Sequence, residues 1–232
     1  ATIRNNRLVN QASKGIYLMD ERNALIDGNI ISSSTTQKTS YQAIDMFRCK
    51  DKTVIRNNKI NISQPYYSAG INLRSEAAGT VDNPILIYNN AISIINSPNS
   101  STYGIALTGD CSNIQFYYNT IYIGGTGGCS FGVTGSKETM SNMVFKNNLV
   151  QNKTASNIYF FNRESQLKAF TFSNNAYLLT GTSFSNKWGA DFTTWISTVG
   201  ETNSINESAK FVSETDLHLL ESGNLNAALA LG

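Results

Sequence analysis

The stretch "VIRNNKINIS", residues 54–63, sets two asparagines inside what otherwise reads as a β-strand. Asn is depleted from strands, and a buried amide side chain needs partners for its donors and its acceptor. Nearly the same phrase returns along the chain: "TIRNNRLVN" from residue 2, "LIYNNAISI" from 86, "VFKNNLVQN" from 144 and "TFSNNAYLL" from 171. Aligned on the second Asn, seven copies of apolar-x-x-Asn-x-apolar emerge, with the Asn at Asn6, Asn29, Asn58, Asn90, Asn119, Asn148 and Asn175. The steps between them are 23, 29, 32, 29, 29 and 27 residues. A fixed period of this size is the signature of a repeat architecture.

A second phrase interleaves with the first: "GIYLMD" from 15, "AIDMFR" from 43, "GINLRS" from 70, "GIALTG" from 104, "SFGVTG" from 130 and "NIYFFN" from 157. Its alternation of apolar and variable positions is that of a strand with one buried face. Each repeat therefore offers two β segments, the G-I-x-L strand and the strand around the Asn phrase, joined by polar loops of variable length. A leucine-rich repeat shares part of the Asn phrase, but it needs Leu-rich helical or extended turns elsewhere, and the 3.6-residue apolar period is absent. The reading that remains is all-β: a right-handed parallel β-helix of about seven coils. In such a solenoid Asn tolerates the left-handed backbone of a tight corner. Successive coils also place the second Asn of each repeat about 4.8 Å above its predecessor, so the amides can form a hydrogen-bonded ladder. The most repeated residues are thus expected to be structural.

The coils are expected to occupy residues 1–180 and a C-terminal cap of the same domain residues 181–232. The chain begins mid-repeat, so further upstream coils, or a partner protein covering that end, are expected. In the cap, Trp188 and Trp195 bracket Asp191, which suits the N-cap of a short helix over 192–198, with the indoles lying over the last coil. A final strand is expected at 215–220.

The Asn-pair coils together with a tail of the type "W…DF..W……NS……F……DLHL" resemble right-handed β-helix proteins of the pectate-lyase-like superfamily. The tail is similar to secreted and cell-surface β-helix proteins of Bacteroidetes. The resemblance implies an exported bacterial protein, and it leaves function open. This chain departs from the family's usual tail at "GETNS" and at "SGNLN".

Composition narrows the function classes. Lys and Arg number 18 against 16 Asp and Glu, and charged residues make up 15%, so a nucleic-acid footprint is absent. No apolar run approaches the roughly 20 residues of a membrane span. Three cysteines, Cys49, Cys111 and Cys129, lack metal-like spacing and read as small buried thiols. His218 is the only histidine, which excludes multi-His metal sites; alternation points it outward beside Asp216, as a surface strand residue in preference to a catalyst.

In β-helix enzymes carboxylates, often with Ca2+, and a Lys or Arg act on one outer face. Stacking the outward positions of the G-I-x-L strand gives one column of Tyr17, Asp45, Asn72, Ala106, Gly132 and Tyr159, and a second of Met19, Phe47, Arg74, Thr108, Thr134 and Phe161. Only Asp45 is acidic. The candidate catalytic group is Asp45, Arg48 and Arg74, and the candidate glycan contacts are Tyr17, Asp45, Asn72, Arg74 and Tyr159. No metal site is expected, with Ca2+ considered only for a lyase. The preferred reading is a non-catalytic, adhesin-like module contacting polysaccharide or cell-surface glycan. The alternative is a polysaccharide lyase or glycoside hydrolase.

Overall fold

The structure, a computed structural model, describes residues 1–34, 39–63, 66–97, 101–135, 140–181 and 183–220. In place of the two β segments expected per repeat, the chain winds through three parallel sheets, because the left-handed corner divides each Asn phrase into two strands, as at Val54–Arg56 and Lys59–Ile62. The first holds seven strands, from Thr2–Arg4 to Phe170–Ser173; the second eight, from Arg7–Val9 to Ile205–Asn206; the third six, from Lys14–Met19 to Tyr159–Phe161. Among the described residues each strand pairs with its equivalents one coil away, and the third sheet counts six turns of a β-helix.

The inward columns are as repetitive as the sequence implies. Ile26, Ile55 and Ile87 stack in register in the first sheet, Ile31, Ile60 and Ile92 in the second, and Ile44, Ile71 and Ile105 in the third. Toward the C-terminus the same columns turn aromatic, through Phe116, Phe145 and Phe172 and through Phe131 and Tyr159. Like-on-like stacking buries β-branched and aromatic surface without requiring a long-range jigsaw.

Each first-to-second-sheet corner uses two residues with separate duties. The first takes the left-handed conformation: Asn5, Gly28, Asn57, Asn89, Tyr118, Asn147, Asn174 and Asn203 all have φ between +52° and +68°. The second is the ladder Asn. Asn29 Nδ2 donates to Asn58 Oδ1 at 3.0 Å, Asn58 to Asn90 at 2.9 Å, Asn90 to Asn119 and Asn119 to Asn148 at 3.0 Å, and Asn148 to Asn175 at 3.2 Å. The same oxygens accept the backbone N–H of the preceding ladder Asn, and the amides also donate to corner carbonyls. Asn6 joins at the N-terminal end, donating to Asn29 at 3.0 Å.

The repeat does not stop near residue 180. Asn203–Ser204 forms one more corner, with Ser204 Oγ accepting the Asn175 N–H at 2.8 Å, and Ile205–Asn206 adds an eighth strand to the second sheet. The ladder ends on Glu201. Its carboxylate accepts from Asn175 Nδ2 and the Tyr177 hydroxyl at 2.8 Å, Ser204 at 2.5 Å and Trp195 Nε1 at 2.7 Å. The expected helix is present at Phe192–Val199 with Asp191 as N-cap, accepting the Thr194 N–H at 2.8 Å. It presses buried Trp195 flat on Tyr159, ring centroids 4.6 Å apart, while Trp188 meets Phe161 edge-on. The indoles close the aromatic end of the core.

In place of the strand expected at 215–220, the tail runs back across the outer face of the second sheet. Ala209 packs with Leu149 and Ala176, and Phe211 meets Tyr122 edge-on. Glu214 takes the Tyr122 hydroxyl on its side chain and the Ser93 hydroxyl on its carbonyl. The chain then reverses, with a single antiparallel bridge between Phe211 and Leu219. The three cysteines are buried thiols, and burial raises Cys111 to about 12 and Cys129 to about 11, so both stay protonated and unreactive.

Two stability measurements follow from the corners. Asn148→Ala strands the Asn119 amide and two carbonyls, and is expected to cost about 3 kcal/mol or more in denaturant unfolding. Asn147→Gly, at the neighbouring left-handed position, is expected to cost under about 1 kcal/mol. Burial outweighs the four donors at Glu201 and raises its carboxyl above the ordinary 4.5. A carboxyl raised on folding holds its proton better folded than unfolded, so its contribution is complete below the unfolded value and declines as pH rises through the folded one. The stability of wild type minus that of Glu201→Gln is therefore expected to shrink from acid to neutral pH.

Candidate functional site

The third-sheet strands Lys14–Met19, Tyr41–Phe47 and Ser68–Arg74 present the predicted outward columns in register: Tyr17 over Asp45 over Asn72, and Met19 over Phe47 over Arg74. Four of the five glycan candidates, Tyr17, Asp45, Asn72 and Arg74, therefore share one patch. Around them the small residues of later coils, Ala106 and Gly132, continue the first column.

The fifth does not belong. Tyr159 pairs with Phe131, not with Gly132, and is fully buried, its hydroxyl 2.8 Å from that of Tyr177. Phe161 is likewise inward, and Phe160 holds the outward position. In "NIYFFN" four consecutive apolar residues carry no alternation, so nothing local fixes the register, and a one-residue slip exchanges the faces. Tyr159 is a core residue beneath Trp195.

Asp45 points outward yet is 0% exposed. Its Oδ1 accepts from Arg74 Nε at 2.7 Å and Asn72 Nδ2 at 3.2 Å; its Oδ2 accepts from Arg74 Nη2 at 2.7 Å and lies 2.6 Å from Lys14 Nζ. Such a buried carboxylate is tolerated because two cations and an amide replace its hydration. Lys14 was missed by the column reading because it precedes the G-I-x-L phrase by one residue. It also sits over the Tyr17 ring, 3.8 Å from the centroid. Asn72 is held in turn by the Thr108 hydroxyl at 3.2 Å.

Arg48 does not join Asp45. Its corner backbone, at φ +52°, turns the side chain to Asp20, with bonds of 2.7 and 2.6 Å that hold the Asp20 carboxyl below its ordinary range. The link to the patch is aromatic: the Phe47 ring has the Arg48 guanidinium 4.7 Å and the Arg74 guanidinium 5.1 Å from its centroid. The result is a ledge of Tyr17, 44% exposed, Met19 and Phe47 interleaved with Lys14, Arg48 and Arg74.

Chemically the ledge can stack rings and offer cationic donors. It has no carboxylate lone pair open for proton transfer at Asp45, since all of its approaches are filled. Ca2+ wants roughly six to eight oxygen ligands. Among the described residues no three His, Cys, Asp or Glu side chains converge, and the Asp45 oxygens already face cations, so these residues do not fit a Ca2+ site.

Comparison with known proteins agrees with this architecture. A family model described as "Right handed beta helix region" matches residues 1–186. Neither the curated proteins nor the solved structures compared with the chain gave a match. With parallel stacked coils, an internal asparagine ladder and 186 of 232 residues matched, the chain belongs to the right-handed β-helix family.

Proposed function

We propose that this is a non-catalytic glycan-contacting module, secreted or displayed on a bacterial cell surface, and that it holds polysaccharide along the third-sheet ledge. The observation that carries the reading is Asp45: the one acid in the outward columns is sealed by Lys14, Arg74 and Asn72. Acid–base cleavage of a glycosidic bond calls for a carboxyl within reach of substrate, commonly two. Here the carboxylate instead positions two cations beside ring faces, which is chemistry for binding.

Charge distribution favours an acidic polymer. Residues 1–74 hold eleven Lys and Arg against five Asp and Glu, while residues 75–232 hold seven against eleven. The ledge lies in the basic part, where long-range attraction would concentrate polyanions and weaken with salt. Among the described residues no helix is long and apolar enough to cross a membrane.

The test is incubation with a panel of acidic and neutral polysaccharides, followed both for retention and for new reducing ends or unsaturated products. Retention of acidic polymers that falls with salt, without cleavage, is expected. Tyr17→Ala, a change at an exposed ring, is expected to weaken retention several-fold, about 1 kcal/mol. Cleavage by the wild type that disappears in Asp45→Asn would overturn the reading in favour of a lyase or hydrolase.

A further inference from the structure

At eight successive corners the left-handed position is filled by Asn or Gly in every coil but one, where Tyr118 stands at φ +52°. A bulky side chain there costs on the order of 1–2 kcal/mol, and such strain persists where the surroundings or a ligand make use of it. The ring gives little back to the core, being 48% exposed.

The returning tail supplies the surroundings. Its reversal brings Asp216, Leu217 and His218 to the same open cavity that Tyr118 lines, about 270 Å³ in volume, whose polar lining includes Lys59, Asn89 and Thr120. Asp216 is hydrogen-bonded to His218 Nδ1 and lies 3.8 Å from Lys59 Nζ. The His218 bond holds the Asp216 carboxyl below its ordinary range, so it stays an acceptor at neutral pH. The cavity thus joins an exposed ring face, an ionised acceptor, an ammonium donor, an amide and a hydroxyl. Lys59 and Asp216 cancel in charge. The volume falls short of the roughly 300 Å³ at which drug-sized pockets begin, and suits one small ring.

We propose that this cavity binds a single neutral sugar ring, stacked on Tyr118, with its hydroxyls shared among Asp216, Lys59 and Asn89. It shares no side chain with the third-sheet ledge, so either site can fail without the other.

The test uses saturation-transfer NMR with the methyl glycosides of glucose, galactose, mannose and N-acetylglucosamine. Transfer to at least one is expected, weakened on the order of tenfold or more in Tyr118→Asn and in Asp216→Asn, and unchanged in Tyr17→Ala. Tyr118→Asn restores the residue that other corners use, so its denaturation midpoint is expected to rise while binding weakens, which separates a binding role from a folding one. No transfer to any of the four glycosides, undiminished transfer in Tyr118→Asn, or a lower midpoint for that variant would each overturn the proposal.

Discussion

Everything in this fold hangs on the hydrogen bonds of one amide column. A solenoid corner must bend the backbone sharply, and the bend takes carbonyls and N–H groups out of ordinary ladder pairing in a region closed to water. Asn has both a donor pair and an acceptor on a short side chain, so a single residue can answer a carbonyl in its own corner, a carbonyl of the neighbouring coil and the next amide. Asn148 Nδ2 donates to the Lys146 and Phe116 carbonyls and to Asn175 Oδ1, and its own Oδ1 accepts from Asn119 Nδ2. Because each rung uses the same atoms as the last, one satisfied corner dictates the position of the next. The Ile columns then stack in register without further instruction.

A column of this kind needs an ending. Toward the C-terminus, Ser204 takes over the acceptor role for the Asn175 backbone, and Glu201 accepts the last amide. The same carboxylate receives the Trp195 indole and the Tyr177 hydroxyl, so the polar end of the ladder and the aromatic end of the core are tied at one residue. The helix that carries Trp195 is therefore part of the solenoid's closure, and the tail that follows covers the second sheet as far as Lys59.

The ladder was legible in the sequence because it repeats, and the helix because Asp191 and the tryptophans give it a start and a buried face. What escaped was whatever does not repeat. Tyr159 was placed outward because four adjacent apolar residues hide the register; only the pairing with Phe131 reveals it. The path of the tail over Tyr122 and Ser93 has no periodic signal at all. Asp45 was correctly placed on the outer face, but its burial depends on Lys14, a residue just outside the phrase that aligns the coils. Arg48, adjacent in sequence to the patch, is drawn to Asp20 by the geometry of its corner.

The claim that most needs testing is that the second Asn of each pair, and not the first, holds the coils together. Hydrogen exchange of the Asn side-chain amides, resolved residue by residue by NMR, reads this directly. The Nδ2 protons of Asn29, Asn58, Asn90, Asn119 and Asn148 should exchange as slowly as the core strand amides, and those of exposed Asn5 should exchange as fast as a free amide. Rapid exchange along the ladder positions would contradict the column as the organising interaction of the fold.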